Sequence, residues 1–434
     1  ICAECYTPNA ELGNFKKISF NIGPTLFQWL VDFVPETAGM IVDQERQNFE
    51  TYGVGNGMAQ AYNHSILPLQ TCLDKITQVR WGIEEFNYRF GHSPLGMWLP
   101  ETGVDMETLC VLSDCGLTFT ILAPWQIQRE ANGNEHEPVL IELPGGRKPF
   151  VVFPYEREYS TKISFLPEFT ENGDSFLQDI KINHKSKKGL TLFASDGELY
   201  GHHQHFRDLF LSYILGPGSQ NNNISWTYPG LYLKENEVTV KANLKEPSSW
   251  SCLHGVGRWT EDCGCTPGST WKNPMRLSLN AIAEWVDDIY VKAFNSNNAD
   301  KDTITPLAWE LRHRYIEHML GIKSVEAIGR ELFGDLWLEF DSQRIERLLE
   351  AQLERQKMFT SCGWFFDDFN RIEPANNIAY AAKAVWICQK YSGNSLPAST
   401  FDLLNDVFSQ ETGLSGYTIF LETLERARDF EFSQ

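Results

Sequence analysis

Two short stretches of this sequence place a carboxylate where an apolar run ends. Gly96-Met97-Trp98-Leu99-Pro100-Glu101 is apolar up to its last residue, and Pro100, without an N–H, cannot continue a central strand. Leu192-Phe193-Ala194-Ser195-Asp196-Gly197-Glu198 has the same design, with Gly197 free to turn the backbone directly after the acid. Carboxylates on the C-terminal lips of parallel strands are where α/β barrels do their chemistry. Glu101 and Asp196 are therefore a candidate pair. One would attack or stabilise an electrophilic carbon while the other protonates the leaving oxygen. For a glycosidic bond, a separation of about 5 Å favours retention through a covalent intermediate. The competing reading is that each acid caps a helix N-terminus, a common task for acids that follow strands.

Three further clusters carry reactive residue types. Gly201-His202-His203-Gln204-His205 follows the Asp196 turn. Adjacent histidines diverge in direction and no acid stands at a metal-like spacing, so hydrogen bonding to hydroxyls or an ordinary helix start fits better than a metal. His64, ahead of Ser65-Ile66-Leu67-Pro68, reads as a core or supporting histidine. Cys252-Leu253-His254 and Cys263-Gly264-Cys265 put three thiols and an imidazole into one glycine-containing loop, a set able to wrap a tetrahedral metal, although the spacing is not that of a standard zinc ribbon. Free reduced thiols are the reading taken, with no metal assigned and the four-ligand site as the alternative. Cys2 and Cys5 form a CxxC without a thioredoxin-like setting, and Cys72, Cys110, Cys115 and Cys388 read as core. Finally, Thr360-Ser361-Cys362-Gly363-Trp364-Phe365-Phe366-Asp367-Asp368 is dense in rings and acids. It is either a core patch with a capping Asp or a segment that reaches an active-site cleft.

The elements that must position these groups alternate over the first half. The pattern predicts strands at 18–22, 95–99 and 117–122, and helices at 25–33, 36–49, 72–90 and 105–115. A hairpin is expected over 138–154 with its turn at 145–146, then helices, the Asp196 strand, a helix at 206–215, a polar loop at 216–223 and a last strand at 237–240. Residues 53–57 are glycine-rich but lack the strand-then-helix setting of a phosphate loop. Such alternation is the mark of an α/β fold with parallel strands. After a loop over 251–273 the periodicity is almost purely helical, at 277–294, 307–320, 345–356, 377–390 and 402–408. The domains expected are 1–245 and 246–434, the second helical and contributing to the cleft.

Composition narrows the class of partner. A net charge of −20 over 434 residues opposes nucleic acid and anionic membranes but not a neutral sugar. Thirteen Trp supply faces that can stack on sugar rings, though most must serve as core. No run is long enough to span a membrane. Ten Cys in so long a chain is not a disulfide scaffold, so a reduced, cytoplasmic setting is expected. The first residue is Ile1, which reads as a fragment or a processed chain.

Together these pieces resemble glycoside hydrolase family 57, the α-amylase and 4-α-glucanotransferase-like enzymes. Gly96 to Glu101 matches the family's G-x-W-x-P-E motif, and Asp196-Gly197-Glu198 its strand-borne D-G-E. His64 with Ile66-Leu67-Pro68, and Trp364 to Asp368, are similar to two further family stretches. The second half, with Trp250-Ser251-Cys252-Leu253-His254-Gly255-Val256-Gly257-Arg258-Trp259, looks like a little-studied branch carrying a helical domain of unknown function. The resemblance implies an incomplete (β/α)7 barrel followed by an α-helical domain, and retaining hydrolysis or transfer on α-linked glucan. In it Glu101 is the nucleophile and Asp196 the general acid/base. His64, Trp98, Trp125, Glu198, His202, Trp364, Asp367 and Asp368 bind sugar, and no cofactor is required. The family's N-terminal His-containing strand motif is missing, so a barrel without its first strand is expected. The rival readings are a zinc-dependent α-mannosidase-like or deacetylase-like hydrolase and a non-catalytic glucan-binding protein.

Overall fold

The computed structural model describes residues 2–129, 136–184, 190–295 and 300–432; the Cys2 side chain, half of the CxxC pair, lies outside the described set. The chain forms two compact units, residues 1–60 with 85–250 and residues 61–84 with 251–434. The assignment of 61–84 to the second unit has no signature in the periodicity.

The first unit is α/β. Helices Pro24–Phe33 and Pro35–Tyr52 each begin on a proline, whose missing N–H costs nothing at a helix start, and the second ends on Gly53 at φ 68°. Beneath them the chain lies side by side with itself in parallel. Phe20 bridges Gly57, and β1 (Ala59–Gln60) pairs with β2 (Met97–Trp98). Gly96 then bridges Phe119, and β3 (Phe119–Leu122) pairs with β6 (Phe150–Pro154). The Glu156 N–H donates to the Leu192 carbonyl at 2.7 Å, tying the extended 190–194 segment to this succession. β5 (Val139–Ile141) folds back antiparallel on β6 as the expected hairpin. β7 (Lys241–Leu244) pairs in parallel with β5 and antiparallel with β4 (Ile127–Gln128).

Several expectations are corrected here. The described ladders form a two-stranded sheet and a five-stranded sheet ordered β3-β6-β5-β7-β4, and these ladders alone do not establish the expected incomplete (β/α)7 barrel. The strand expected at 18–22 is a single bridge at Phe20, and the one at 95–99 shrinks to two residues. The approach to Asp196 is extended chain without a ladder. The last strand lies at 241–244 rather than 237–240. The polar 216–223 loop contains a short helix, Pro217–Asn222, started by a proline and stopped by Asn223 at φ 55°.

The second unit is helical, with Lys272–Lys292, Lys301–Met319, Val325–Phe333, Ser342–Lys357, Ile372–Ser392, Ala398–Asp406 and Gly416–Phe432. Helices 325–333 and 416–432 fall within the stretch whose periodicity is almost purely helical. Asp300, Ser324 and Asp341 cap three of them, each accepting from the backbone N–H three residues on. The small residues Ala381, Ala382 and Ala384 let the Ile372–Ser392 helix pack closely, and with Ile378 and Val385 they are fully buried. An ionic knot sits in this core. Asp74 Oδ1 lies 3.0 Å from Arg312 Nη1, Asp74 Oδ2 lies 2.8 Å from Arg355 Nη1, and Arg355 Nη2 reaches Asp287 at 2.8 Å. Burial opposes the Asp74 charge, but Arg355 and Arg312 outweigh it and hold the carboxyl well below its usual range. Among the described residues, no helix is long and apolar enough to cross a membrane.

Candidate active site

Glu101 stands at the end of its strand in a left-handed backbone, φ 56° and ψ 23°, and Thr102 follows at φ 49°. Such conformations cost a non-glycine residue roughly 1–2 kcal/mol each, so they persist only where neighbours over-determine them. Here they do. The Trp250 N–H donates to the Glu101 carbonyl at 3.1 Å, and the Thr102 N–H to the Leu99 carbonyl at 2.8 Å. The Thr102 hydroxyl donates to Gln126 Oε1 and Gln126 Nε2 returns to the Thr102 carbonyl, both at 2.8 Å. Gln126 also reaches the Ser248 hydroxyl at 3.1 Å, and Ser248 and Val104 exchange backbone hydrogen bonds. The strained turn is thus stitched to residues 248–250.

That turn aims the Glu101 carboxylate at an indole. Trp250 Nε1 donates to Glu101 Oε2 at 2.7 Å, a charge-assisted bond that fixes the carboxylate's rotation. Gly96, the first residue of the motif, has a packing reason: a Cβ there would enter the Phe119 ring. The next helix, Met106–Asp114, is capped by Asp105, which accepts from the Thr108 N–H at 2.7 Å. Asp196 precedes the Gly197–Leu199 turn and makes no side-chain cap bond. The capping alternative therefore fails for both acids.

Rings surround this carboxylate. Trp98 meets Trp250 edge-on at 5.2 Å between centroids, Tyr155 meets Trp250 at 6.1 Å, and Trp125 meets Tyr155 at 6.0 Å. Trp125 donates its Nε1–H to the Ser249 carbonyl at 3.2 Å and carries the Arg157 guanidinium over its face at 5.2 Å. Trp98, Trp125 and Trp250 are half-buried, so each keeps part of its surface accessible.

Asp196 is open to solvent yet set in enough protein to be partly desolvated. Desolvation first, then repulsion from Glu198 and from Glu101, raises its carboxyl pKa, while His203 opposes the rise. Glu101 and Asp196 are therefore electrostatically coupled, and the second holds its proton to higher pH than an ordinary aspartate. Glu198 faces the N-terminal segment instead: the Tyr6 hydroxyl donates to its Oε1 at 3.1 Å. His202 Nδ1 lies 2.7 Å from Glu4 Oε2. Gly201, at φ 135°, lets the chain pass close against the Glu4 carbonyl.

The remaining site candidates belong to the second unit. His64, at φ 52°, pairs its Nδ1 with the Ser361 hydroxyl at 2.6 Å, and the Ser361 N–H donates to the His64 carbonyl at 2.9 Å. Burial pushes its pKa down to about 4, so the imidazole is neutral near pH 7. Trp364 is wholly buried and stacked on Trp271 at 6.1 Å, which makes it a core ring with no face for a sugar. Asp368 is buried and accepts from the Asn370 and Gln410 N–H groups, tying two loops together. Asp367 is exposed and accepts from the Asp368 N–H. Cys252, His254, Cys263 and Cys265 do come together, their ligand atoms all within 4.8 Å of one another. Sequence reasoning missed Trp250 and Tyr155 as members of the site. Trp250 lies 149 residues from Glu101, and no local spacing signals that pairing.

An α/β unit that presents an indole-held acid, with a second acid in electrostatic reach, has the make-up of a carbohydrate-active enzyme. Residues 36–226 match glycosyl hydrolase family 57, and residues 269–428 match a domain of unknown function, DUF3536. A family 57 segment is thus followed along the chain by a DUF3536 segment. Three solved structures share the fold. The exo-type maltose-forming amylase of Pyrococcus sp. ST04 superposes with a TM-score of 0.70 at 14% identity, covering 96% of this chain and 79% of that one. The family 57-type branching enzyme of Pyrococcus horikoshii gives 0.58 at 14% identity over 99% and 89%. The 4-α-glucanotransferase of Thermococcus litoralis gives 0.54 at 13% identity over 90% of this chain and 54% of that one. Comparison of the sequence with curated proteins gave no significant match.

Proposed function

We propose that the chain cleaves or transfers α-linked glucan with retention of configuration. Glu101 attacks the anomeric carbon and forms a glycosyl ester as the glycosidic C–O bond breaks. Asp196 gives its proton to the leaving oxygen, then takes one from water or from an acceptor hydroxyl as the ester is released. The observation that carries this reading is the electrostatic asymmetry of the pair. Glu101 accepts a hydrogen bond from Trp250 Nε1, while desolvation and repulsion raise the Asp196 pKa above its ordinary value. Trp98 and Trp125 offer partly exposed rings for sugar stacking, and His202 offers an imidazole tethered by Glu4. The parallel succession from Phe20 to the 190–194 segment is read as the wall of the family's incomplete barrel. Three structural neighbours, a maltose-forming amylase, a family 57-type branching enzyme and a 4-α-glucanotransferase, support α-glucan as the substrate class.

The test is product analysis by mass spectrometry after incubation with maltoheptaose and with amylose, using Glu101→Gln as the control. Longer and shorter oligosaccharides together, absent from the control, mean transfer, and shorter ones alone mean hydrolysis. Equal turnover by wild type and Glu101→Gln would overturn the assignment. Binding of maltooligosaccharide without any product, unchanged in Glu101→Gln, would favour a non-catalytic glucan-binding protein instead.

A further inference from the structure

The loop ahead of helix Lys272–Lys292 holds a second constellation, independent of the carboxylates. Cys252 Sγ lies 3.8 Å from Cys263 Sγ and 3.8 Å from Cys265 Sγ, and Cys265 Sγ lies 3.5 Å from His254 Nδ1. A tetrahedral zinc with Zn–S near 2.3 Å and Zn–N near 2.0 Å would set its ligands about 3.8 Å apart for two sulfurs and about 3.5 Å for sulfur and nitrogen. We propose that Cys252, His254 through Nδ1, Cys263 and Cys265 form a tetrahedral site for one zinc ion of the structural kind.

The loop is built to hold these four groups. Arg258 clasps both ends of it. Its Nε and Nη2 donate to the Ser251 carbonyl at 3.1 and 2.8 Å, and its Nη1 donates to the Thr266 hydroxyl at 3.0 Å. Those partners immediately precede Cys252 and follow Cys265. Between them Gly264, at φ 80°, makes the tight knuckle that aims Cys263 and Cys265 at one point, and its N–H donates to Asp262 at 3.3 Å. Gly257 brings its backbone close to Cys263 and His254; a Cβ there would lie 3.1 Å from Cys263 Cβ and 3.5 Å from His254 Cβ.

The surroundings suit an anionic centre. Backbone N–H groups of His254 and Arg258 point at Cys252 Sγ, and that of Leu253 at Cys265 Sγ, as expected around ligating thiolates. Three thiolates, one neutral imidazole and Zn²⁺ carry a net charge of −1. The Lys272 side chain is buried within electrostatic reach of Cys252 and Cys263, where its cationic form would offset that charge. Four protein ligands fill the tetrahedron, which leaves no position for water or substrate and makes the role structural. The zinc would fasten residues 252–265 into one closed loop. This site differs in kind from the His/Asp set of a zinc-dependent sugar hydrolase. Among the described residues, no other cluster of His, Cys, Asp and Glu is close enough to share an ion.

The experiment uses the full chain, purified under reducing conditions without chelator, with metal measured by inorganic mass spectrometry. About one zinc per chain is expected, with three sulfurs and one nitrogen by X-ray absorption. Cobalt reconstitution should give the intense visible bands of a tetrahedral thiolate site. The Cys263→Ser/Cys265→Ser variant should retain essentially no zinc, and Cys110→Ser, which alters a buried thiol of the other unit, should keep it. Should the double variant fail to fold, His254→Ala at an exposed position replaces it, with a weakened zinc affinity and an altered cobalt spectrum expected. A reduced chain that binds no zinc, or zinc content untouched by both loop variants, overturns the proposal. So does a Cys252–Cys263 disulfide in freshly isolated, metal-free protein.

Discussion

Trp250 holds Glu101 twice, by its indole Nε1–H to the carboxylate at 2.7 Å and by its backbone N–H to the carbonyl at 3.1 Å. One residue thus supports both the strained backbone and the charge it presents. Trp250→Phe keeps the ring and the backbone bond but deletes the indole donor. A hydrogen bond to a charged group contributes about 1.5–3 kcal/mol, so kcat should fall roughly 10- to 100-fold with little change in melting temperature. Steady-state kinetics on maltoheptaose beside a thermal melt decides it. An unchanged kcat would remove Trp250 from the mechanism.

The raised pKa of Asp196 gives a signed pH prediction. Desolvation leads, followed by repulsion from Glu198 and Glu101. Activity that needs protonated Asp196 falls as pH rises through that raised value. Glu198→Gln removes one repelling charge, lowers the Asp196 pKa and should move the alkaline limb of the kcat/KM profile to lower pH. A limb that stays put would mean a different group controls it. The folded chain also binds this proton more tightly than the unfolded one. Its contribution to stability is therefore present at low pH and lost as pH climbs between the ordinary and the raised pKa.

Gly96→Ala should destabilise the first unit by about 1–3 kcal/mol, because the new methyl has nowhere to go but into the Phe119 ring. Combining it with Phe119→Leu should recover part of that loss, a coupling that denaturant titration of the four-member cycle reads directly. Additive effects would show that the glycine serves some other purpose.

Asp74→Asn removes the more buried of the two acids between Arg312 and Arg355 and leaves them Asp287 alone. Breaking one partner of a buried ion pair costs about 3–5 kcal/mol, so the second unit should melt markedly earlier. Asp74→Asn with Arg312→Met should sit between the two. A variant that melts like wild type would mean that water already screens this knot.

Much of the fold was legible in the residues. Helix 72–90 followed from its apolar spacing, the 138–154 hairpin from Gly145-Gly146, and both carboxylate motifs from acids placed at the ends of apolar runs. The cysteine loop announced itself by residue type, and the structure supplied the convergence that spacing could not. What stayed hidden is non-local. Nothing near Glu101 foretells the indole from residue 250, and nothing near Trp364 says that Trp271 covers it. The strand before Glu101 read as five residues and forms two, because Pro100 and the left-handed turn cut the ladder short. The Pro217–Asn222 helix was concealed by polar residues that have low helical preference, where Pro217 at the first helical turn outweighed composition.

The left-handed backbone at Glu101 has an evolutionary corollary. Glycine or asparagine would sit there with less strain, so folding by itself would not choose glutamate. Under the proposed mechanism the acid persists against this conformational preference because turnover requires it. In a lineage released from that requirement, position 101 should be among the first to drift, with a more stable and inert protein as the result.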